Sequence, residues 1–162
     1  MLFRSIVQSP NRPESVLVGM GKRIGLFAPK SEKVIAEADL PSTLAAMVLD
    51  DKGGQAFLVL SDRSVLSCKV TTDQRLAVTH LGVRLGATDR GCFILPQNRR
   101  LVSIGKDGEV SIFDPKTRTI QTVKGPAPLQ AGPAVHPTED AWFFADRQLL
   151  RCTPTKTESI DH

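Results

Sequence analysis

A segment recurs four times along the chain, and its third copy is the clearest. Leu101 to Thr117 reads as an apolar strand, a tight turn at Asp107-Gly108, a second alternating strand, and a polar turn opening at Asp114-Pro115. The same grammar starts around Val16, Phe57 and Trp142, so the starts lie 41, 44 and 41 residues apart. A near-constant phase makes each copy one supersecondary unit that buries its faces against its neighbours.

Turn chemistry divides each copy into four short strands. The first has Phe3 to Gln8, a turn at Pro10–Pro13, then Ser15 to Met20, Ile24 to Ala28 and Lys33 to Ala38. The second has Leu44 to Leu49, Ala56 to Leu60, Val65 to Val70 and Arg75 to His80. In the third, an insertion from Val83 to Asp89 precedes Gly91 to Leu95, Arg100 to Ile104, Glu109 to Phe113 and Thr119 to Val123. The fourth has Ala131 to Val135, Ala141 to Ala145 and Gln148 to Cys152, leaving only Glu158 to Asp161 for an outer strand. β-Branched and aromatic residues fill these runs, as a pleated surface requires. The second strand of each copy is almost wholly apolar (Val16-Leu-Val, Phe57-Leu-Val-Leu, Leu101-Val-Ser-Ile, Trp142-Phe-Phe-Ala). Such runs suit strands covered on both faces.

The expectation is an all-β fold, a β-propeller of four four-stranded blades spanning about 2–41, 42–82, 83–125 and 126–162 of a single domain. A β-sandwich with the same strand count is the alternative, but it gives no reason for the constant phase. The grammar resembles the WD-repeat and quinoprotein-like propellers. Ser103-Ile-Gly-Lys-Asp-Gly108 matches the hairpin turn of those repeats, and Val110-Ser-Ile-Phe-Asp114 matches their strand ending in Trp-Asp, with Phe for Trp. The Gly-His dipeptide that usually opens them is missing from every copy. The resemblance implies rings of seven or eight blades, so four blades predict an open arc or half-ring. Trp142, Phe143 and Phe144 on the terminal blade are then candidate interface residues, with one ring facing outward. Three outcomes follow: a homodimer closing eight blades, docking on another propeller chain, or a compact four-bladed monomer.

The chain's 41% apolar and 23% charged residues are those of a globular protein. A formal net charge of +4 permits an acidic partner without calling for nucleic acid. Cys68, Cys92 and Cys152 are odd in number, widely spaced and without a CxxC, which gives no disulfide framework and no zinc pattern. The first ten residues carry one basic residue and no long apolar core, unlike a signal peptide. No stretch approaches the roughly 20 apolar residues of a membrane helix. A cytoplasmic protein is expected.

Sites for chemistry are sparse. His80, His136 and His162 stand far apart, with no Cys or carboxylate at ligand spacing. Asp50-Asp-Lys-Gly-Gly54 and Gly19-Met-Gly21 read as turns. No nucleophile elbow, zincin, P-loop or dinucleotide motif occurs, so no catalytic residue, metal or cofactor is expected. One chemical feature does repeat. The second hairpin of every copy carries basic residues: Lys22 and Arg23, then Arg63, then Lys106, then Arg147. Blades in a common phase put these tips on one face, as a binding site for an acidic protein partner, although Asp62, Asp107 and Asp146 partly cancel the field. The reading is a non-enzymatic scaffold for protein–protein interaction, a subunit of a larger assembly. The alternative is an enzyme or ligand-binding protein that uses the central funnel.

Overall fold

The structure is a computed structural model, which describes residues 5–9, 12–50, 52, 54–125, 132–145 and 149–160. It is all-β, and the described residues form sixteen strands in four antiparallel four-stranded sheets, each a simple meander. The first sheet holds β1 (Ser5–Ser9), β2 (Arg12–Met20), β3 (Arg23–Ala28) and β4 (Lys33–Asp39). The second holds β5 (Leu44–Asp50), β6 (Gln55–Leu60), β7 (Ser64–Val70) and β8 (Leu76–Arg84). The third holds β9 (Gly91–Ile94), β10 (Leu101–Ile104), β11 (Glu109–Asp114) and β12 (Thr119–Lys124). The fourth holds β13 (Ala134–Val135), β14 (Trp142–Ala145), β15 (Leu149–Cys152) and β16 (Thr157–Ile160). A 3-10 turn at Pro29–Ser31 is the only helical element of three or more residues among the described residues.

The chain forms two compact units, Met1–Arg84 and Leu85–His162, of two blades each. In the first unit, Leu17, Ile24 and Leu26 of the first blade pack with Leu44, Met47, Leu58, Leu60, Leu66 and Cys68 of the second. Leu17 pairs with Leu26 in register, so both point to the same side of the sheet. In the second unit the core joins Val102, Ile104, Val110 and Ile112 of the third blade to Trp142, Phe144 and Cys152 of the fourth.

Three local expectations are corrected. Arg12 and Pro13 belong to β2, where Arg12 pairs with Ser9, and the rest of the expected Pro10–Pro13 turn lies outside the described residues. The outer strand of the second blade runs on to Arg84, which absorbs the start of the expected insertion. It does so through a bulge, because Ser64 pairs with Arg84 while Leu66 pairs with His80. Gly82 sits in that bulge at φ +73°, where a side chain would be strained. The fourth blade is not short of an outer strand. β16 pairs with β15 along its whole length, from Leu149–Ile160 to Cys152–Thr157.

Candidate functional site

The basic hairpin tips are held by backbone hydrogen bonds to the segments that link the blades. In the first unit, Leu40 N–H donates to the Lys22 carbonyl and Leu44 N–H to the Gly21 carbonyl, both at 2.8 Å. Ser61 N–H in the second tip donates to the Thr43 carbonyl at 2.7 Å, and the Ser42 and Ser61 hydroxyls lie 2.8 Å apart. Residues 40–43 therefore touch both tips, which brings Lys22, Arg23 and Arg63 to one end of this unit. The third blade repeats the arrangement within its own unit, where Gly125 N–H after β12 donates to the Gly108 carbonyl at 2.7 Å. Lys106 occupies that tip. Arg147 lies outside the described residues.

The second and third tips are each shaped by an aspartate. Asp62 Oδ1 accepts from Ser64 N–H at 3.1 Å and Ser64 Oγ at 2.6 Å, and Asp107 Oδ1 accepts from Glu109 N–H at 3.2 Å. The Ser64 hydroxyl and N–H hold the Asp62 carboxyl below the usual carboxylate range. Arg63 follows Asp62 at φ +69°, the place taken by Gly108 (φ +83°) after Asp107. Lys106 instead precedes its aspartate. The basic residues thus recur in every described tip without occupying equivalent turn positions.

Their charges are also unequally free. Arg23 Nε pairs with Asp39 Oδ1 at 3.1 Å on the surface. Lys22, Arg63 and Lys106 are exposed and enter no ion pair among the described residues. What this surface can offer is cationic, directional donors set on rigid turns.

The terminal aromatic residues divide between the core and the outer face of their blade. Trp142 is 1% exposed and Phe144 4%, both in the core of the second unit. Phe93 of the third blade covers Trp142, with ring centroids 5.7 Å apart. Only Phe143 of the three is partly accessible, and its ring lies 6.3 Å from that of His136. The other face of the fourth blade carries charge, because Arg151 pairs with Glu139 at 3.2 Å and Glu158 at 3.4 Å. Phe143 pairs with Arg151 in register and shares that face.

Two histidines serve turns, and His162 lies outside the described residues. His80 Nδ1 accepts from Gly82 N–H at 3.1 Å, and His136 Nδ1 accepts from Glu139 N–H at 3.0 Å. No group of three His, Cys, Asp or Glu side chains is arranged to hold a metal ion among the described residues. Burial pushes the thiols of Cys68 and Cys92 up to about 12, far from the thiolate that nucleophilic chemistry needs. Among the described residues no helix is long and apolar enough to cross a membrane.

An open arc implies exposed blade faces, but sequence reasoning did not single out the residues of one such surface. The side of the first blade opposite Leu17 and Leu26 holds a hollow of about 400 Å³ lined by Ile6, Val16, Val18, Met20, Phe27 and Val34. The signal was the alternation of Val16, Val18 and Met20 in β2, which supplies a second apolar face.

No protein-family model matches the chain, and no curated protein matches it by sequence. Solved structures do. The chain is similar to the β-propeller domain of Cps50 (Swd1) from Myceliophteria thermophila, with a TM-score of 0.71 at 14% identity, over 99% of this chain and 54% of that one. It is similar to U3-55K at a TM-score of 0.66 and 12% identity, over 97% of this chain and 51% of that one. The chain thus spans about half the length of these structures, and at such identities the likeness establishes the fold, four β-propeller blades.

Proposed function

We propose that the chain is a non-enzymatic β-propeller scaffold of degenerate WD type that mediates protein–protein interaction as a cytoplasmic subunit of a larger assembly. The observation that carries this reading is the tethering of the Lys22 and Arg63 tips to one linking segment, with both cations free of ion pairs among the described residues. Rigid turns present these charges at little entropic cost, which favours an acidic protein segment as partner. Lys106 stands at the corresponding end of its own blade and offers the same kind of charge. The assembly itself is a homodimer or a dock onto another propeller chain.

The test is a quadruple charge reversal, Lys22→Glu, Arg63→Glu, Lys106→Glu and Arg147→Glu. Exposed turn charges rarely matter to stability by more than about 0.5 kcal/mol, so the circular dichroism spectrum is expected to stay that of a strand-rich protein. Binding of an acidic peptide is expected to fall, and what remains to lose its dependence on salt. Binding that survives the reversal unchanged rejects the tips as the partner surface.

A further inference from the structure

Two neighbouring turns close the end of the third blade opposite its Lys106 tip. Residues 95–100 join β9 to β10, and residues 115–118 join β11 to β12. Leu101 pairs with Phe113 in register, so the antiparallel ladder sets Arg100 beside Asp114. Arg100 Nε donates to Asp114 Oδ2 at 3.2 Å. The two turns have the same build. Arg99 N–H donates to the Leu95 carbonyl at 2.9 Å, and Arg118 N–H donates to the Asp114 carbonyl at 2.8 Å. Both closing residues are left-handed, at φ +56° and +57°. Glycine adopts that conformation more easily than any residue with a Cβ, yet arginine fills it in both turns.

Positive charge accumulates there. The two turns and the strand ends beside them carry Arg99, Arg100, Lys116 and Arg118 against one carboxylate, Asp114. That carboxylate is already engaged. Besides Arg100 it accepts from Lys116 N–H at 2.9 Å and Thr117 N–H at 3.4 Å. Lys116 and Arg118 are exposed and enter no ion pair among the described residues.

We propose that this end of the third blade docks a phosphorylated segment of a protein partner, with Arg118 and Lys116 taking the phosphate and Arg100 behind them. A guanidinium meets two phosphate oxygens with its planar fork, and an ammonium nearby adds a point charge. Extent argues against a nucleic acid. Paired strands lie about 5 Å apart, so two neighbouring turns make a patch on the order of 10 Å across, room for one phosphate rather than a run of them. Asp140, which accepts from the Gln97 and Asn98 N–H groups of the first turn, would repel the next phosphate of a continuous backbone. None of the turn residues is aromatic, which leaves no platform for a base. The surface lies apart from the hairpin tips of the proposed function and does not depend on them.

The test is a titration of the isotope-labelled 162-residue chain with an otherwise neutral Gly-Ala peptide holding one phosphoserine, up to about 2 mM. Proton–nitrogen correlation spectra are expected to show shifts of the amides of residues 97–100 and 116–118, and none with the serine counterpart. Added salt is expected to weaken the response. The double variant Lys116→Ser, Arg118→Gly keeps the Arg100–Asp114 pair and relaxes a left-handed residue. It is expected to stay folded and to bind the phosphopeptide about ten-fold more weakly. Arg118→Lys keeps the charge and loses the fork, and is expected to fall between. A phosphopeptide no better than its serine counterpart, shifts confined to other turns, or a double variant that binds like the wild type would each overturn the proposal. A short DNA duplex that binds more tightly than the phosphopeptide, and is weakened by the same double variant, would reassign the surface to nucleic acid and overturn it too. The quadruple reversal of the hairpin tips is expected to leave these shifts in place. Loss of acidic-peptide binding with the phosphopeptide shifts intact, or the reverse, separates the two readings.

Discussion

Asp140 in the turn before β14 accepts hydrogen bonds from two successive backbone N–H groups of the third blade, Gln97 at 2.9 Å and Asn98 at 3.4 Å, and also binds the Asn98 side-chain amide. Gln97 Nε2 returns the contact by donating to the Thr138 carbonyl at 3.0 Å. A charged acceptor for two turn N–H groups 43 and 42 residues away latches the two blades of the second unit at one end. Asp140→Ala is expected to cost about 1–2 kcal/mol, since a hydrogen bond to a charged group is lost but water can reach the freed donors. Asn98→Ala, which keeps the backbone donors, is expected to cost less. Urea unfolding followed by Trp142 fluorescence measures both.

Arg63 holds a left-handed backbone that glycine occupies in the third blade. A side chain costs roughly 1 kcal/mol there. Arg63→Gly is therefore expected to be neutral or to stabilise the protein by up to about 1 kcal/mol, even though glycine gains entropy in the unfolded chain. The same variant removes a candidate binding cation. A variant that melts higher and binds an acidic peptide more weakly would show a local cost borne for recognition. Lower stability would show that the Arg63 side chain makes contacts that outweigh its backbone strain.

The blades were legible where two local signals agreed. Asp107-Gly108 joins alternating strands, and the turn N–H from Gly108 to the Gly105 carbonyl at 3.1 Å closes where turn chemistry places it. The outer strand β8 was legible only in part, because its faces alternate between half-buried and exposed and Gly82 breaks the period with a bulge. Pro13 looked like punctuation but lies in β2, before that strand's best-buried stretch. Basic tips could be counted from sequence, whereas their tethering through residues 40–43 depends on pairings across a blade boundary. The burial of Trp142 and the openness of the Ile6 face have the same cause. An apolar run tells that a strand has two greasy sides, not which neighbour covers each.

The Asp62–Ser64 contact makes a prediction about pH. The carboxyl is held low in the folded protein by the Ser64 hydroxyl first and the Ser64 N–H second. A depressed folded pKa means that the stabilising contribution is present above the unfolded value and is lost as pH falls through the folded value. Ser64→Ala removes the 2.6 Å hydroxyl donor and keeps the N–H. The Asp62 titration midpoint, read by NMR from its side-chain carbon, is expected below the ordinary carboxylate range in the wild type and closer to it in Ser64→Ala. An unmoved midpoint would assign the effect to the backbone donor alone.

Trp142 is the only tryptophan of the chain, and it reports on the core of the second unit. At 1% exposure, with Phe93 against it and Val110, Ile112 and Cys152 in its cluster, its ring is shielded by its own unit. Trp142→Ala is expected to cost roughly 3–5 kcal/mol, the usual penalty for deleting a large buried ring. The indole N–H is buried and has no hydrogen-bond partner among the described residues. Trp142→Phe removes that unsatisfied donor and keeps most of the apolar contact, so it is expected to cost well under half as much. The shielding also separates two origins of association. If Trp142 formed a seam with another chain, acrylamide quenching would rise on dilution as the seam opened. Burial within the unit predicts slow quenching that is the same at every concentration. Quenching that grows as the protein is diluted would move the ring to an intermolecular interface and contradict its place in this core.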